Sequence, residues 1–312
     1  MEFSLILLGK LVSMMLMAMV GCILVKGNAL RPDDSRALSV LLVYVLQPCL
    51  IVHALQIELT PERLAGFLIG TVMATATMVL SILFGGATKK FLRLDDIDRA
   101  CLIYANVGNL LMPLVSMSLG EEMVFYCSVF QIPFHLFCWT QGISLIRGDK
   151  SLNLRKVITN PCIIALAIGL FFLMTQITIP SVLGSAIKGF YDMVPAASML
   201  LVGMIIADGD LHSVFTCKKA YLVSFLRLLL LPVLCMLLLY ASGLLRHHPE
   251  LRAVSMIVIP GSAAPSGNMI VTLAVVNGKD AVKASIHNVM TTILCVVTIP
   301  LIIFLFQVLF PV

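Results

Sequence analysis

The chain has 312 residues, of which 60% are hydrophobic and only 12% are charged, and its formal net charge is +5. Soluble domains carry about 25% charged residues, so this composition predicts a polytopic membrane protein that contacts lipid and has almost no soluble domain. The small positive charge does not indicate a nucleic-acid partner, because the basic residues of a membrane protein report its orientation.

Nine cysteines are scattered along the chain, and they form no CxxC or Cys/His spacing typical of a metal site. They are interpreted as small hydrophobic residues inside helices. The chain also lacks the glycine-rich loop that binds ATP phosphates. We therefore expect no metal, no cofactor and no enzymatic activity.

Ten apolar segments predict ten transmembrane helices, since about 20 residues are needed to cross a bilayer core. They lie at residues 3–25, 37–57, 64–87, 97–119, 122–146, 158–177, 182–207, 218–244, 251–276 and 280–309. In the seventh segment, Pro180, Gly184 and Gly189 predict a short interfacial piece before a helix that starts near Phe190.

The distribution of lysine and arginine predicts the orientation. The odd-numbered loops carry 15 of the 21 basic residues, whereas the even-numbered loops carry three. Basic loops favour the cytoplasmic side. We therefore expect a multi-pass protein of the cell (inner or plasma) membrane with both termini outside.

A polar, basic loop follows the fifth predicted helix and divides the chain. The division predicts a first repeat at residues 1–147, a cytoplasmic linker at 148–157 and a second repeat at 158–312. Because each repeat has five helices, the two repeats must be inverted relative to each other. Interrupted helices at matching places in inverted repeats point to the substrate site of a transporter.

The fourth and ninth segments cannot form regular helices. The residues that interrupt them are Asn106, Gly108, Asn109 and Pro113 in Ala100–Gly120, and Pro260, Gly261, Pro265, Gly267 and Asn268 in Ala253–Gly278. Inside a helix, a glycine costs roughly 1 kcal/mol and a proline roughly 3 kcal/mol. Broken backbone at bilayer depth is tolerated only where protein buries it or water reaches it. We therefore predict that these residues form a substrate site.

The predicted site favours an anion. Half-helix N-termini carry partial positive charge and free N–H groups, and Asn106, Asn109 and Asn268 can donate hydrogen bonds to a carboxylate. The alternative is that these polar groups only satisfy the backbone that the breaks set free.

Ionisable residues inside predicted helices are functional candidates. His53 and His135 are candidates for proton coupling. The alternative is a neutral imidazole bonded to a neighbouring helix, and this interpretation is preferred for all three histidines, His53, His135 and His287. Arg227 is expected to reach the cytoplasmic surface rather than to bind an anion.

A function from another class is suggested by Asp192 and by Asp208-Gly209-Asp210, which weakly resemble the aspartate pair of intramembrane proteases. Such a pair faces each other from two helices and shares a proton, whereas these residues lie along one segment. Asp192 is better explained by an interfacial ion pair with Lys188, four residues away. A membrane sensor is the other alternative that composition leaves open.

A series of motifs follows in order along almost the whole chain: Leu46–Leu50 (LQPCL), Asn106–Pro113 (N-x6-P), Gly120-Glu121-Glu122, Gln141–Gly142, Asn160-Pro161 with Gly169, Pro195–Gly203 and Pro260–Pro265 (P-x4-P). This ordered series resembles the auxin efflux carrier family. The short linker resembles the bacterial malate-permease-like branch, which is related to the plant PIN carriers. Met112 departs from the family, which has glycine before the proline at position 113.

The resemblance implies an all-α polytopic fold of ten transmembrane helices in two inverted five-helix repeats, with helices 4 and 9 broken and crossed as in bile-acid symporters. Helices 1, 2, 6 and 7 would form a scaffold domain, and helices 3–5 and 8–10 a transport domain. The resemblance also implies alternating-access transport of a small organic anion, a mono- or dicarboxylate.

The family pattern places the substrate carboxylate at Asn106, Pro113, Pro260 and Pro265. The match between Gly108-Asn109 and Gly267-Asn268 within this chain favours Asn109 instead. Proton coupling, sodium coupling of the bile-acid-transporter type, uniport and a homodimer all stay open, although we identify no acid suited to a sodium site at the broken helices.

Overall fold

The structure is a computed structural model, and it describes residues 2–112, 114–115, 121–148, 155, 158–208, 211–248 and 251–310. The helices in chain order are α1 (Glu2–Lys26), α2 (Asp34–Leu41), α3 (Gln47–Ala54), α4 (Pro61–Leu92), α5 (Asp96–Ile103), α6 (Glu121–Phe137), α7 (Ile143–Arg147), α8 (Pro161–Thr175), α9 (Ser181–Asp208), α10 (Leu211–Thr216), α11 (Lys218–Phe225), α12 (Leu231–Ser242), α13 (Leu244–His247), α14 (Arg252–Ser262), α15 (Asn268–Val276) and α16 (Ala281–Leu309). Short π-helical segments occur at Leu42–Leu46, Val107–Leu111, Cys138–Gly142 and Leu226–Leu230.

Helical structure occurs in each of the ten segments predicted from the sequence. The stretches long and apolar enough to cross a membrane are Asp34–Ala54, Pro61–Leu92, Met123–Arg147, Ser181–Asp208, Lys218–Ser242 and Ala281–Leu309. Shorter apolar helices lie at Val12–Lys26 and Pro161–Thr175. The all-helical, multi-pass character is therefore confirmed, whereas ten crossings in two inverted repeats stay a prediction.

Helix α9 corrects the prediction for the seventh segment, because it is one helix from Ser181 to Asp208. Pro180 lies just before this helix, where its carbonyl accepts the first helical hydrogen bond and its missing N–H is no loss. Gly189 costs only roughly 1 kcal/mol in the helix interior. Burial of the face that carries Tyr191 and Val194 outweighs that cost.

The closest backbone contact in this part of the fold is between α1 and α9. A Cβ atom at Gly203 would lie 1.8 Å from the Ala18 carbonyl oxygen, and one at Gly21 would lie 2.3 Å from the Leu200 carbonyl oxygen. No side chain fits at such distances. Small residues that let two backbones touch are typical of helix packing in membranes.

Helix packing falls largely into two sets, which also contact each other where α1 packs on α16 and α3 packs on α6. In one set, α9 packs on α1 and α3, and α8 packs on α3. In the other, α4 packs on α5, α6 and α14, while α16 packs on α11 and α15. The π-helical segment Val107–Leu111 lies at the junction of the sets, since it contacts α6 and α14 as well as α9.

We expect Gly203→Ala to lower the midpoint of thermal unfolding of the detergent-solubilised protein. The added methyl group must push α1 away from α9, and overpacking of this kind costs about 1–3 kcal/mol or more. The matched control is Gly189→Ala on the same helix, where a Cβ atom meets nothing within 4 Å. The control is expected to keep or raise the midpoint, and equal midpoints for both variants would contradict the close contact.

Candidate functional site

The first helix break begins where α5 ends at Ile103. Tyr104 has extended backbone (φ −96°, ψ 114°), and Asn106 also lies outside the helical region (φ −84°, ψ 62°). Helical structure resumes with the π-helical segment Val107–Leu111. The break at Tyr104–Asn106 was predicted, but it lies slightly earlier in the chain than Gly108, which belongs to the π-helical segment.

The second break lies between α14 and α15, at Ala263–Gly267. Pro265 and Gly267 fall in this break as predicted, and α15 starts at Asn268. Pro260 and Gly261 do not, because α14 continues through both residues to Ser262. Pro260 falls within a single turn of the helix end, where the helix can lose one backbone hydrogen bond without ending.

The two breaks are joined by an antiparallel backbone bridge between Ala105 and Ser266. The Asn106 N–H donates to the Pro265 carbonyl (2.7 Å), and the Gly267 N–H donates to the Tyr104 carbonyl (2.9 Å). Each break thereby satisfies backbone groups that the other has freed from helical hydrogen bonding. We call residues Tyr104–Asn106 and Ala263–Gly267 together the crossover.

Glycines allow the chain to pass closely at the crossover. A Cβ atom at Gly267 would lie 3.3 Å from the Ala105 carbonyl oxygen, which is tighter than ordinary contact. A Cβ atom at Gly261 would lie 2.6 Å from the Phe130 ring. Gly261 is therefore explained by the packing of α14 on α6 rather than by a break in the helix.

Side-chain amides surround the crossover. Asn288 of α16 donates through Nδ2 to the Ser266 carbonyl (2.6 Å) and to Asn268 Oδ1 (2.8 Å). Asn106 Nδ2 lies 3.5 Å from the same Asn268 oxygen. The Ser266 N–H donates to Thr291 Oγ1 (3.0 Å). Helix α16 thus holds the second break in place, a role that the sequence patterns did not assign to it.

The amide nitrogen of Asn268 is a spare donor at the crossover. It is buried, and it makes no hydrogen bond to any residue that the structure describes. Buried polar atoms without a partner are rare in proteins, and each one calls for an explanation. Asn268 Oδ1 already accepts from Asn288 and Asn106, so the nitrogen is the one side-chain atom of Asn268 that can bond but has no described partner.

Arg227 contradicts the prediction that it reaches the cytoplasmic surface. Its side chain is only 1% exposed. Nε donates to the Ala264 carbonyl (2.9 Å), and Nη1 donates to the Leu102 carbonyl (2.6 Å) and the Ile103 carbonyl (3.2 Å). The carbonyls at the end of α5 and in the second break face the guanidinium, and this attraction keeps the side chain inside.

The π-helical segment that follows the first break packs against two glutamines at Gly108. A Cβ atom at Gly108 would lie 3.1 Å from Gln47 Nε2 and 3.3 Å from Gln131 Nε2. Gln131 Nε2 also lies 3.0 Å from the Met112 sulfur. The side chain of Asn109 and the whole of Pro113 lie outside the part of the chain that the structure describes.

The two histidines predicted for proton coupling lie away from the backbone bridge. His53 stacks on Tyr191 with ring centroids 4.6 Å apart. His135 is buried, and its Nδ1 lies 2.9 Å from the Gln131 carbonyl oxygen one turn earlier in its own helix. His135 is linked to the first break through Phe134, whose ring packs against both His135 (5.3 Å between centroids) and Tyr104 (6.2 Å).

A buried charge cluster fastens α5 to its neighbours, and the sequence analysis missed it. Asp98 is fully buried, and its carboxylate lies 2.8 Å from His287 Nε2, 2.6 Å from Lys283 Nζ and 3.3 Å from Lys219 Nζ. Lys283 also pairs with Asp95. Two lysines therefore balance two aspartates, and the cluster ties α5 to α11 and α16.

The space next to the crossover is small. Arg227, Ala105, Ser262 and Ser81 line a cavity of about 10 Å³, which is room for about one water molecule. This cavity is too small to hold an organic substrate.

The described residues contain no group of three or more His, Cys, Asp or Glu side chains that could hold a metal ion. Asp192 forms the expected ion pair with Lys188 (3.2 Å). Asp192 and Asp208 lie 16 residues apart on α9, which separates them by about 24 Å along the axis. These two aspartates cannot share a proton, and Asp210 lies outside the described residues.

A model of the family described as membrane transport protein matches the chain twice, over residues 6–154 and 149–303. The chain belongs to this family, the auxin efflux carriers. No curated protein matches the chain. Membership confirms the resemblance drawn from the motifs and indicates that this auxin efflux carrier family member is a membrane transport protein.

We expect Asn288→Ala to destabilise this family member strongly, because the Ser266 carbonyl would be left buried without its hydrogen bond. Such a loss costs about 1–3 kcal/mol, which lowers the midpoint of thermal unfolding. Thr292→Val on the same helix is the control, since the Thr292 hydroxyl is buried and has no partner among the described residues. A control variant as unstable as Asn288→Ala would contradict the role of Asn288.

Proposed function

We propose that this protein is a secondary transporter of small organic anions, mono- or dicarboxylates, which works by alternating access. The substrate carboxylate binds at the crossover, where the Asn268 amide nitrogen donates to it and Asn106 adds a second amide. The free Asn268 donor is the observation that carries the proposal, because a buried N–H group without a partner favours an anionic acceptor. Helix α15 begins at the same residue, and its N-terminus favours negative charge.

The two packing sets support a division into moving parts. The set of α1, α3, α8 and α9 corresponds to the proposed scaffold, and the set of α4–α6, α11 and α14–α16 to the proposed transport domain. The Asp98 cluster and the backbone bridge tie helices within the second set to one another. The transport domain therefore moves as one unit and carries the crossover with it, while contacts of Val107–Leu111 with α9 break and reform.

Substrate entry requires the closed crossover to open. The cavity beside Arg227 has room for about one water molecule, so the carboxylate enters only when the two sets separate. His135 and His53 are the proposed sites of proton coupling, and sodium-coupled symport is the alternative mechanism. From the distribution of basic residues we infer that both termini lie on the outer side of the cell membrane.

Uptake into proteoliposomes tests the proposal. Purified protein is reconstituted, and a panel of labelled mono- and dicarboxylates is offered under an imposed pH gradient, an imposed sodium gradient or no gradient. We expect saturable uptake or counterflow of at least one carboxylate, and the gradient that drives accumulation identifies the coupling ion. Absence of uptake and counterflow for every organic anion would overturn the proposed function.

Asn106→Ala is expected to reduce carboxylate uptake by about 10-fold or more, because a hydrogen bond to a charged group contributes about 1.5–3 kcal/mol. The matched control is Asn277→Ala, which removes an amide beyond the far end of α15 that binds Arg147 (2.6 Å). Uptake is normalised to the amount of folded protein. Full activity in the Asn106 variant would exclude this residue from the site and leave the fold unaffected.

A further inference from the structure

We propose that Arg227 gives the crossover its preference for anions without touching the substrate. This inference rests on the proposed function and adds to it a specificity-determining residue. Its observations are the burial of the guanidinium, its three carbonyl partners and the pairing of the nearby acids with other cations.

Arg227 lies in the π-helical segment Leu226–Leu230, and it hydrogen-bonds to residues at or next to both breaks. Its three hydrogen bonds end on Leu102 and Ile103, the last residues of α5, and on Ala264 in the second break. These residues directly precede Tyr104–Asn106 and Pro265–Gly267, which form the bridge. The guanidinium therefore lies on the side of the bridge where α5 and α14, the first halves of the two broken helices, end.

The ends of these half-helices would otherwise repel an anion. A helix C-terminus carries partial negative charge on carbonyl groups that lack a helical partner. Helices α5 and α14 both end at the crossover, so their negative ends face the place where the carboxylate binds. Arg227 hydrogen-bonds to carbonyl groups of α5 and of the chain just after α14. Its positive charge offsets their partial negative charge, so these helix ends no longer repel an anion.

The positive charge of Arg227 is not cancelled by an acid. Its partners are neutral carbonyls, and none of the described carboxylates forms an ion pair with it. Asp98, about one turn before Leu102, is already matched with Lys219 and Lys283. Asp95 is matched with Lys283 as well. The crossover therefore keeps one net positive charge in a buried place, and an entering carboxylate would balance it.

Lysine cannot replace this arrangement fully. The arginine fork holds several carbonyls at fixed angles, whereas the lysine ammonium group is a single point on a flexible stem. Arg227→Lys therefore preserves the charge and weakens the geometry, while Arg227→Gln removes the charge. A comparison of the two variants separates electrostatic attraction from the mechanical support of the breaks.

A second pair of variants leaves Arg227 intact. Ser81 lines the same small cavity as Arg227, and its hydroxyl bonds only within its own helix, to the Thr77 carbonyl (2.8 Å). Ser81→Asp places a carboxylate beside the guanidinium, and Ser81→Asn places an uncharged group of the same shape there. The two differ only in charge, so any difference between them reports electrostatics.

The experiment uses the full chain in proteoliposomes. The carboxylate that the wild-type protein transports is compared with its uncharged amide, and the ratio of their inhibition constants against uptake is measured for each variant. Thermal unfolding of each variant is measured in parallel. A purely structural role would lower stability and leave the ratio unchanged, whereas a charge role changes the ratio itself.

We expect Arg227→Gln and Ser81→Asp to reduce the carboxylate-to-amide preference by about tenfold or more, because one unit charge a few ångströms away acts with this strength in a partly buried site. Arg227→Lys and Ser81→Asn are expected to keep most of it. If folded Arg227→Gln protein or Ser81→Asp protein keeps the wild-type ratio of inhibition constants, this inference is overturned and the proposed function still stands. If Arg227→Gln does not fold, the Ser81 pair decides. If wild-type protein takes up no carboxylate, the proposed function and this inference both fall.

Discussion

Two backbone hydrogen bonds between Tyr104–Asn106 and Pro265–Gly267 are the constraint on which the rest of the structure depends. A break in a helix at bilayer depth frees N–H and carbonyl groups that lipid cannot satisfy. Each break provides hydrogen-bond partners for backbone groups that the other break has freed. Side chains satisfy further backbone groups. Asn288 and Thr291 hydrogen-bond to the second break, and Arg227 hydrogen-bonds to Ala264 in the second break and to Leu102 just before the first.

The balance of hydrogen-bond donors and acceptors at the crossover is the basis of the proposed preference for an anion. The Tyr104 and Pro265 carbonyls accept from backbone N–H groups, the Ser266 carbonyl accepts from Asn288, and the Ala264 carbonyl accepts from Arg227. The Asn268 amide nitrogen and the Ser266 hydroxyl have no partner among the described residues, and Arg227 forms no ion pair with a described carboxylate. This excess of donors and positive charge supports the proposal that the substrate is an anion.

Much of this was predictable from residue types alone. Proline and glycine clusters located both breaks, because these residues disfavour helix wherever they occur. The details required the fold. Pro260 and Gly261 stay helical since α14 packs tightly on Phe130, and α9 runs straight through Gly189 since its buried face outweighs the local cost. Arg227 was wrongly assigned to the surface because a single sequence does not show which carbonyls a long side chain meets.

By itself, the sequence determined the membrane environment, the positions of the helices, the two interruptions and the family, since these depend on composition, periodicity and short motifs. The tertiary structure decided which polar groups are already satisfied and which are free. Asn106 and Asn268 lie 162 residues apart in the chain, and Asp98 and its partner His287 lie 189 residues apart. Hydrogen-bond partnership is a property of atoms in contact, so only the packed helices show which donors at the crossover have no partner among the described residues.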